Sequence, residues 1–461
     1  MTQSDLSISK VDVATPTVSH THATGTDYLF GRKSTVWVFG LLCLLMVFDF
    51  ADRMIIASIL PYIQQEWKIS DAQAGLLSSI LTLGMVLFAF PISIFIDRWS
   101  RIKTASLMGV FWGIASAAGA FTQGFSQLVL SRFFVGAGEA AYAPASYAWI
   151  SAAFPRRRLQ LALGLFSASQ PIGMALGIAL GGYIAQHYGW RHALGFLAIP
   201  GIVIAILLYR GRDYKTFTHQ HSLSETDQQT QPTSSEKAKQ HWDAVKQSWR
   251  LIRRTPSLIL TYLAIAMVTL QWIPMVFFLP SYLHRIHHIE LSQASLMTSC
   301  ILLIGIVTLP LGGWVMDTLS SKYQKAKLYV SLAGYSLATL FYGIAFALLT
   351  DLVWQFSLII LAGALLSFCS PAPLSLTQEL VPPSARALSG TSSVMTIHLL
   401  GSIPGPFIAG LVSDAFGIST ALTVVPVISG VLAIILLGFA AHFYSRDVSR
   451  VQFSHLEADT R

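Results

Sequence analysis

The chain has 461 residues, of which 53% are hydrophobic and only 11% charged, with a formal balance of +8. Soluble domains carry about 25% charged residues, so a chain this apolar cannot cover itself in water, and its solvent is lipid. The positive balance is therefore read as a signature of membrane topology and not as a nucleic-acid footprint.

Residues 1–34 are polar and rich in Ser and Thr, without the charged start, apolar core and cleavage site of a signal peptide, and are expected to form a disordered tail. Twelve apolar runs follow, at about 35–60, 73–96, 104–122, 126–150, 159–186, 191–210, 257–283, 292–316, 327–349, 353–377, 386–412 and 419–443. Each approaches the roughly 20 residues needed to cross a hydrocarbon core of about 30 Å. They are continuous where the strands of a membrane barrel would alternate, which predicts an all-α membrane protein.

Lys and Arg collect in alternate connections: Arg98, Arg101 and Lys103; Arg156, Arg157 and Arg158; Lys322, Lys325 and Lys327; Arg386. The opposite connections hold little beyond Lys68, Arg191 and Arg285. Because positive loops are retained inside, both termini are expected in the cytoplasm. Residues 211–256 form the one long polar interruption, HQHSLSETDQQTQPTSSEKAKQ followed by WDAVKQSWRLIRR. The first part reads as a flexible linker and the second as an interfacial helix. The linker divides a bundle at 35–210 from a second at 257–443, with a cytoplasmic tail expected over 444–461. The halves repeat each other: at a shift of 220, QAGL at 73–76 falls on QASL at 293–296, and Asp97 on Asp317.

Span one breaks its apolar run with FDFADRMI, placing Asp49, Asp52 and Arg53 within about one turn. In span four, Arg132, Gly136, Glu139 and Ala143 follow one face at steps of four, three and four. Charges on a membrane helix look into the bundle or into water, and one left unpaired costs about 2.5–3.5 kcal/mol. At about 1.5 Å per residue, Asp52 and Arg132 come out level, with Asp49 and Glu139 near the midplane. A carboxyl group can shed its charge by taking a proton, whereas an arginine keeps it. The acids are therefore candidate proton carriers and the arginines candidate anion ligands; the alternative is a static pair that only fixes helix packing.

In the second half, Gln271, Trp272 and Pro274, with Ser367, Ser370, Pro371 and Pro373, supply polar atoms and helix breaks where a cavity can form, and Gln271 and Trp272 are candidate substrate contacts. His398 is either a packing histidine or a titrating one. Cys43, Cys300 and Cys369 lie in apolar runs without ligand spacing and are read as packing residues. HRIHHIE at 284–290 fits no zinc pattern. No nucleophile with base and orienting partner is apparent, so neither an enzyme nor a cofactor is expected.

The stretch SIFIDRWSRIK, Ser93 to Lys103, resembles the loop signature of the major facilitator superfamily. Asp97, Arg98 and Arg101 match it, Ser93 and Ser100 stand where glycine is usual, and Ile102 replaces a basic residue. The second copy, GWVMDTLSSK, keeps Gly313 and Asp317 and loses the arginines. The resemblance implies twelve transmembrane helices in two six-helix pseudo-repeats, a monomer that alternates access by rocking its halves, and a role in that switch for Asp97, Arg98, Arg101, Gly313 and Asp317. Within the superfamily, DFADR at 49–53, RFFVGAGEA at 132–140 and IHLLGSIPGPFIAGLVSD at 397–414 resemble the spinster-like branch. This resemblance implies proton-linked roles for Asp52 and Glu139, an orienting or anion-binding role for Arg53 and Arg132, and a cavity position for His398. It further implies a small or amphipathic organic solute, anionic in character, since spinster-like relatives in animals move lysophospholipids or sphingosine phosphates; a bacterial cytoplasmic membrane is the expected location. The pattern is also similar to the organic-anion and sugar-acid symporters, although Gly138 and the HLLG stretch favour the spinster-like branch. A sensor or scaffold that binds without transporting is the rival from another class.

Overall fold

In lipid an apolar chain must satisfy its peptide groups internally, and here it does so as helices; among the described residues there is no strand. The computed structural model describes residues 28–140, 142–213, 246, 248–382 and 385–459, with side chains at all of these except 93–98, 387 and 450–459. The tail expected over 1–34 therefore lies outside the described residues up to position 27, and the flexible part of the linker likewise.

The first half contains α1 (Arg32–Trp67), α2 (Asp71–Arg98), α3 (Arg101–Gly119), α4 (Phe125–Glu139), α5 (Tyr142–Ala153), α6 (Arg156–Tyr188) and α7 (Trp190–Tyr209). The second contains α8 (Pro256–His287), α9 (Leu291–Ser320), α10 (Ala326–Ala347), α11 (Leu352–Cys369), α12 (Pro371–Glu379), α13 (Arg386–Ile397), α14 (Pro404–Phe416) and α15 (Ile418–Asp459). Residues 248–253 before α8 are also helical, with Ile252 buried against the second half. From residue 444, where a tail is expected, α15 continues as helix to Asp459.

Among the described residues, ten helical stretches are long and apolar enough to cross a membrane. The other two of the twelve crossings are α3, which is diluted by small and polar residues, and the broken pair α4–α5, which carries Arg132 and Glu139. The breaks have local causes. Pro144 lacks an N–H and its ring clashes with the carbonyl four residues back, which is where α4 stops at Ala140. Pro371 starts α12 in the same way, and before Pro404 the helix widens into a π-turn at His398–Ser402.

Packing repeats the sequence duplication. In the first half α3 lies on α7 and α4, and α2 on α4; in the second, α10 lies on α15 and α11, and α9 on α11. Between halves, α2 against α14 is matched by α6 against α9. The backbone repeats too: Lys68 after α1 and His288 after α8, equivalent at the shift of 220, both adopt left-handed φ, at 51° and 54°. A side chain there costs about 1 kcal/mol over glycine. Lys68→Gly is accordingly expected to raise the thermal unfolding midpoint in detergent, and an unchanged or lower midpoint contradicts the assignment.

With six crossings per half, the termini and the linker share one end, called here the terminal end; Asp213 accepts from Ser100 Oγ and Ile102 N at the start of α3 there, and Asp447 from Ser257 N and Oγ at the start of α8. The opposite, distal end is where the halves meet most closely. Cβ atoms at Gly75 and Gly410 would collide with the backbones of Pro406 and Asp71, and one at Gly182 with Ser295. One apolar core runs through the distal parts of α1 and α6 into the second half, whereas the terminal part of the first half has its own core, around Leu42, Trp112, Trp149 and Phe166.

Candidate functional site

Helical spacing decides which charges meet. Asp49 and Arg53, four apart, share a face of α1, and Arg53 Nη2 donates to Asp49 Oδ2 at 2.8 Å. Asp52 points toward α3 and α4, where Arg132 Nη1 reaches its Oδ2 at 3.2 Å and its backbone carbonyl at 3.4 Å. The level relation between Asp52 and Arg132 expected from helix rise is thus a direct ion pair. Two turns further along α4, Glu139 Oε2 lies 3.0 Å from Arg53 Nε. The N–H direction misses that oxygen, so neither Glu139 oxygen accepts a hydrogen bond, and Asp49 Oδ1 accepts none either.

Ser116 on α3 completes the first pair: its hydroxyl donates to Asp52 Oδ1 and accepts from Arg132 Nη2 at 3.1 Å. Nothing in the sequence marked this serine, one of several in an apolar helix. Tyr142 closes the terminal side by donating to the Leu42 carbonyl, packed against Trp112. Asp49, Asp52, Arg132 and Glu139 are all buried, while the Arg53 side chain keeps 16% exposure and its guanidinium lies 4.5 Å from the Phe50 ring centroid.

Three carboxylates face two guanidiniums, so the fully ionised set carries one net negative charge in a medium of low dielectric. His398 is half-buried in its π-turn, with Nδ1 3.3 Å from Ser402 Oγ.

Gln271 is buried within the second half, donating to Thr339 Oγ1 at 3.0 Å with its own oxygen unpartnered. Trp272 lines a cavity of about 240 Å³ with Val268, Thr269, Leu309, Tyr335 and Ser367. Asp97 and Arg98 end α2, and their side chains lie outside the described residues. Arg101 opens α3; Gly313 and the exposed Asp317 stand near the terminal end of α9, remote from the buried charges.

A second polar cluster, at the distal end, was not foreseen. Asp71, the first residue of α2, receives Arg285 Nη1 and Nη2 at 2.9 and 2.8 Å, Gln64 Nε2 at 2.7 Å and Ser413 Oγ at 2.5 Å. Asp414, from α14 of the other half, accepts from the backbone N–H groups of Asp71 and Ala72 at 2.7 and 2.9 Å, so the N-terminus of α2 is capped across the interface. Beside it Gln186 of α6 bonds to Glu290 at 3.1 Å and to Ser292 N at 3.0 Å. The distal end is closed. Opening it uncaps α2, and a cap contributes about 1 kcal/mol. Asp414→Ala should therefore raise the distal-open population about fivefold, read as faster labelling of a cysteine placed at Ser295 in a chain whose own cysteines are replaced; an unchanged rate contradicts this.

The profile of the Major Facilitator Superfamily matches residues 42–396. The chain is 26% identical over 416 residues to a probable sphingolipid transporter, spinster homolog 3, of Arabidopsis thaliana, covering 83% of this chain and 80% of that one. It is 26% identical over 410 residues to a sphingosine-1-phosphate transporter of Xenopus tropicalis, covering 84% and 76%. Among solved structures, a bacterial homolog of the human lysosomal transporter Spinster, inward-facing and unoccupied, superposes with a TM-score of 0.73 at 20% identity, over 92% of this chain and 98% of that one.

Proposed function

Since the chain belongs to the Major Facilitator Superfamily and is a multi-pass integral membrane protein, we propose that it is a proton-coupled secondary transporter that carries an amphipathic organic anion between its halves by alternating access. One observation carries the reading: the buried charge set opens at a single side chain, Arg53, which keeps 16% exposure while its carboxylate partners are sealed. A set built only for packing has no need of an opening. Substrate sites of such folds lie at the interface of the repeats near the midplane.

Arg53 is the anion ligand, having a planar fork that its present partners leave partly free. The largely apolar cavity beside Trp272 suits a hydrocarbon segment. Together they match a solute with an acidic head and an apolar body, the class named for the spinster relatives. Arg132, fully buried between Asp52 and Ser116, is out of a solute's reach while the distal end is closed. Asp49, Asp52 and Glu139 are the available proton acceptors.

The basic connections lie at the terminal end, which makes that end cytoplasmic and this conformation inward-facing. The membrane is a bacterial cytoplasmic membrane and the working unit a monomer. Counterflow of labelled lysophospholipids, sphingosine phosphates and sugar acids in proteoliposomes tests the reading. Uptake of an amphipathic anion that responds to an imposed pH gradient supports it; uptake of sugar acids alone moves the chain to the symporter reading. Saturable binding without counterflow makes it a sensor or scaffold.

A further inference from the structure

The four buried charges and the half-buried Arg53 are not one hydrogen-bonded network. They fall into two units with different hydrogen-bond completeness. In the first, Asp52 has both oxygens occupied, Oδ1 by Ser116 and Oδ2 by Arg132, and Arg132 in turn bonds the Asp52 carbonyl and Ser116. This unit is electrically neutral and closed to solvent. In the second, one guanidinium serves two carboxylates, and three of their four oxygens, Asp49 Oδ1 and both of Glu139, accept no hydrogen bond. Buried acceptors without donors are costly, and so is the net negative charge of this unit. A single proton relieves both, neutralising the unit and turning one acceptor into a donor.

We propose that Asp49 and Glu139 hold one proton between them across the Arg53 guanidinium, while Asp52 stays ionised as the fixed counter-ion of Arg132. This rests on the proton-coupled reading above and narrows it to one proton and to one pair of groups. Among the described residues, Asp52 is the one other carboxylate in the cluster and both its oxygens are occupied; α3 presents Ser116, α4 presents Arg132, and α5 presents the Tyr142 hydroxyl, already given to Leu42. On α1, Cys43 stands six residues before Asp49, and in the second half the π-turn carries the half-buried His398, whose Nδ1 lies 3.3 Å from Ser402 Oγ. Arg53 is also the way out, as the one member with exposure.

A consequence follows for coupling. An anionic head group that engages Arg53 draws it from its carboxylates, whose remaining charge is then less compensated, so they take up a proton more readily. By reciprocity the proton favours the anion equally. Proton and anion therefore occupy the carrier together and cross in the same direction.

Infrared difference spectra of the purified protein over a pH titration test the site without any substrate, through the carbonyl stretch of a protonated carboxyl. Wild type is expected to show one such band. Asp49→Asn and Glu139→Gln are each expected to abolish it entirely, since either leaves one carboxylate paired with one arginine. Ser116→Ala, which removes hydrogen bonds from Asp52 and Arg132 and touches neither Asp49 nor Glu139, should leave the band in place. A half-intensity band in each of the first two variants, a full band in either, a band moved by Ser116→Ala, or no band in wild type overturns the proposal. Transport that still follows the pH gradient in that event leaves the coupled reading standing with a different proton site, whereas transport indifferent to the gradient removes the coupled reading itself.

Discussion

Glu139→Gln is expected to fold and insert as wild type does and to lose accumulation driven by a pH gradient. The amide keeps the shape that packs beside Arg53 Nε but can neither carry charge nor bind the proton, and Arg53 is left paired with Asp49 at 2.8 Å. For one coupled proton, a gradient of one pH unit sustains about tenfold accumulation, the equivalent of about 1.4 kcal/mol. In the variant the ratio falls to about one, while exchange down a concentration gradient persists. Proteoliposomes loaded at one pH and diluted into another make the measurement. A Gln variant that accumulates solute tenfold removes Glu139 from the coupling path.

Arg132→Ala has the largest expected effect on stability. It leaves Asp52 buried with only Ser116 as donor, and stripping one partner from a buried pair costs about 3–5 kcal/mol. The variant is expected to unfold many degrees earlier in detergent, or to fail to accumulate in the membrane. Asp52→Asn combined with Arg132→Gln, which removes both charges, should recover much of the loss. A single variant as stable as wild type would mean that the pair contributes nothing to holding α1, α3 and α4 together.

Much of the fold was legible because lipid imposes so few solutions on an apolar chain. Apolar run length alone marks the crossings, and the shift of 220 that aligns QAGL with QASL reappears as α2 and α9 beginning at Asp71 and Leu291, and as matching left-handed residues at Lys68 and His288. Helix rise was enough to put Asp52 beside Arg132, since both lie on unbroken helical stretches of α1 and α4. What sequence could not supply was orientation within the bundle. The same spacing serves a side chain that reaches solvent and one that is locked, and only packing distinguishes the half-buried Arg53 from the sealed Arg132.

Other features depend on partners far away in the chain. Asp414 looks like an ordinary acid after an apolar run until α14 brings it onto the start of α2, more than three hundred residues earlier. Arg285 registers in the sequence only as a loop cation, yet it holds Asp71. Ser116 is one small polar residue among several. The break after Glu139 was readable in principle from Pro144, but span four was taken as continuous because its apolar run is unbroken.

The claim at the centre is that the charges around Arg53 form a working proton site and not a fixed brace. The most direct measurement follows a pH-sensitive dye trapped in proteoliposomes while a gradient of the solute identified by counterflow is imposed, for wild type and for Glu139→Gln. Proton flux that accompanies the solute in the same direction in wild type, and is absent in the variant, is the predicted result. Solute movement in wild type with no proton flux, or equal flux in both proteins, would contradict it.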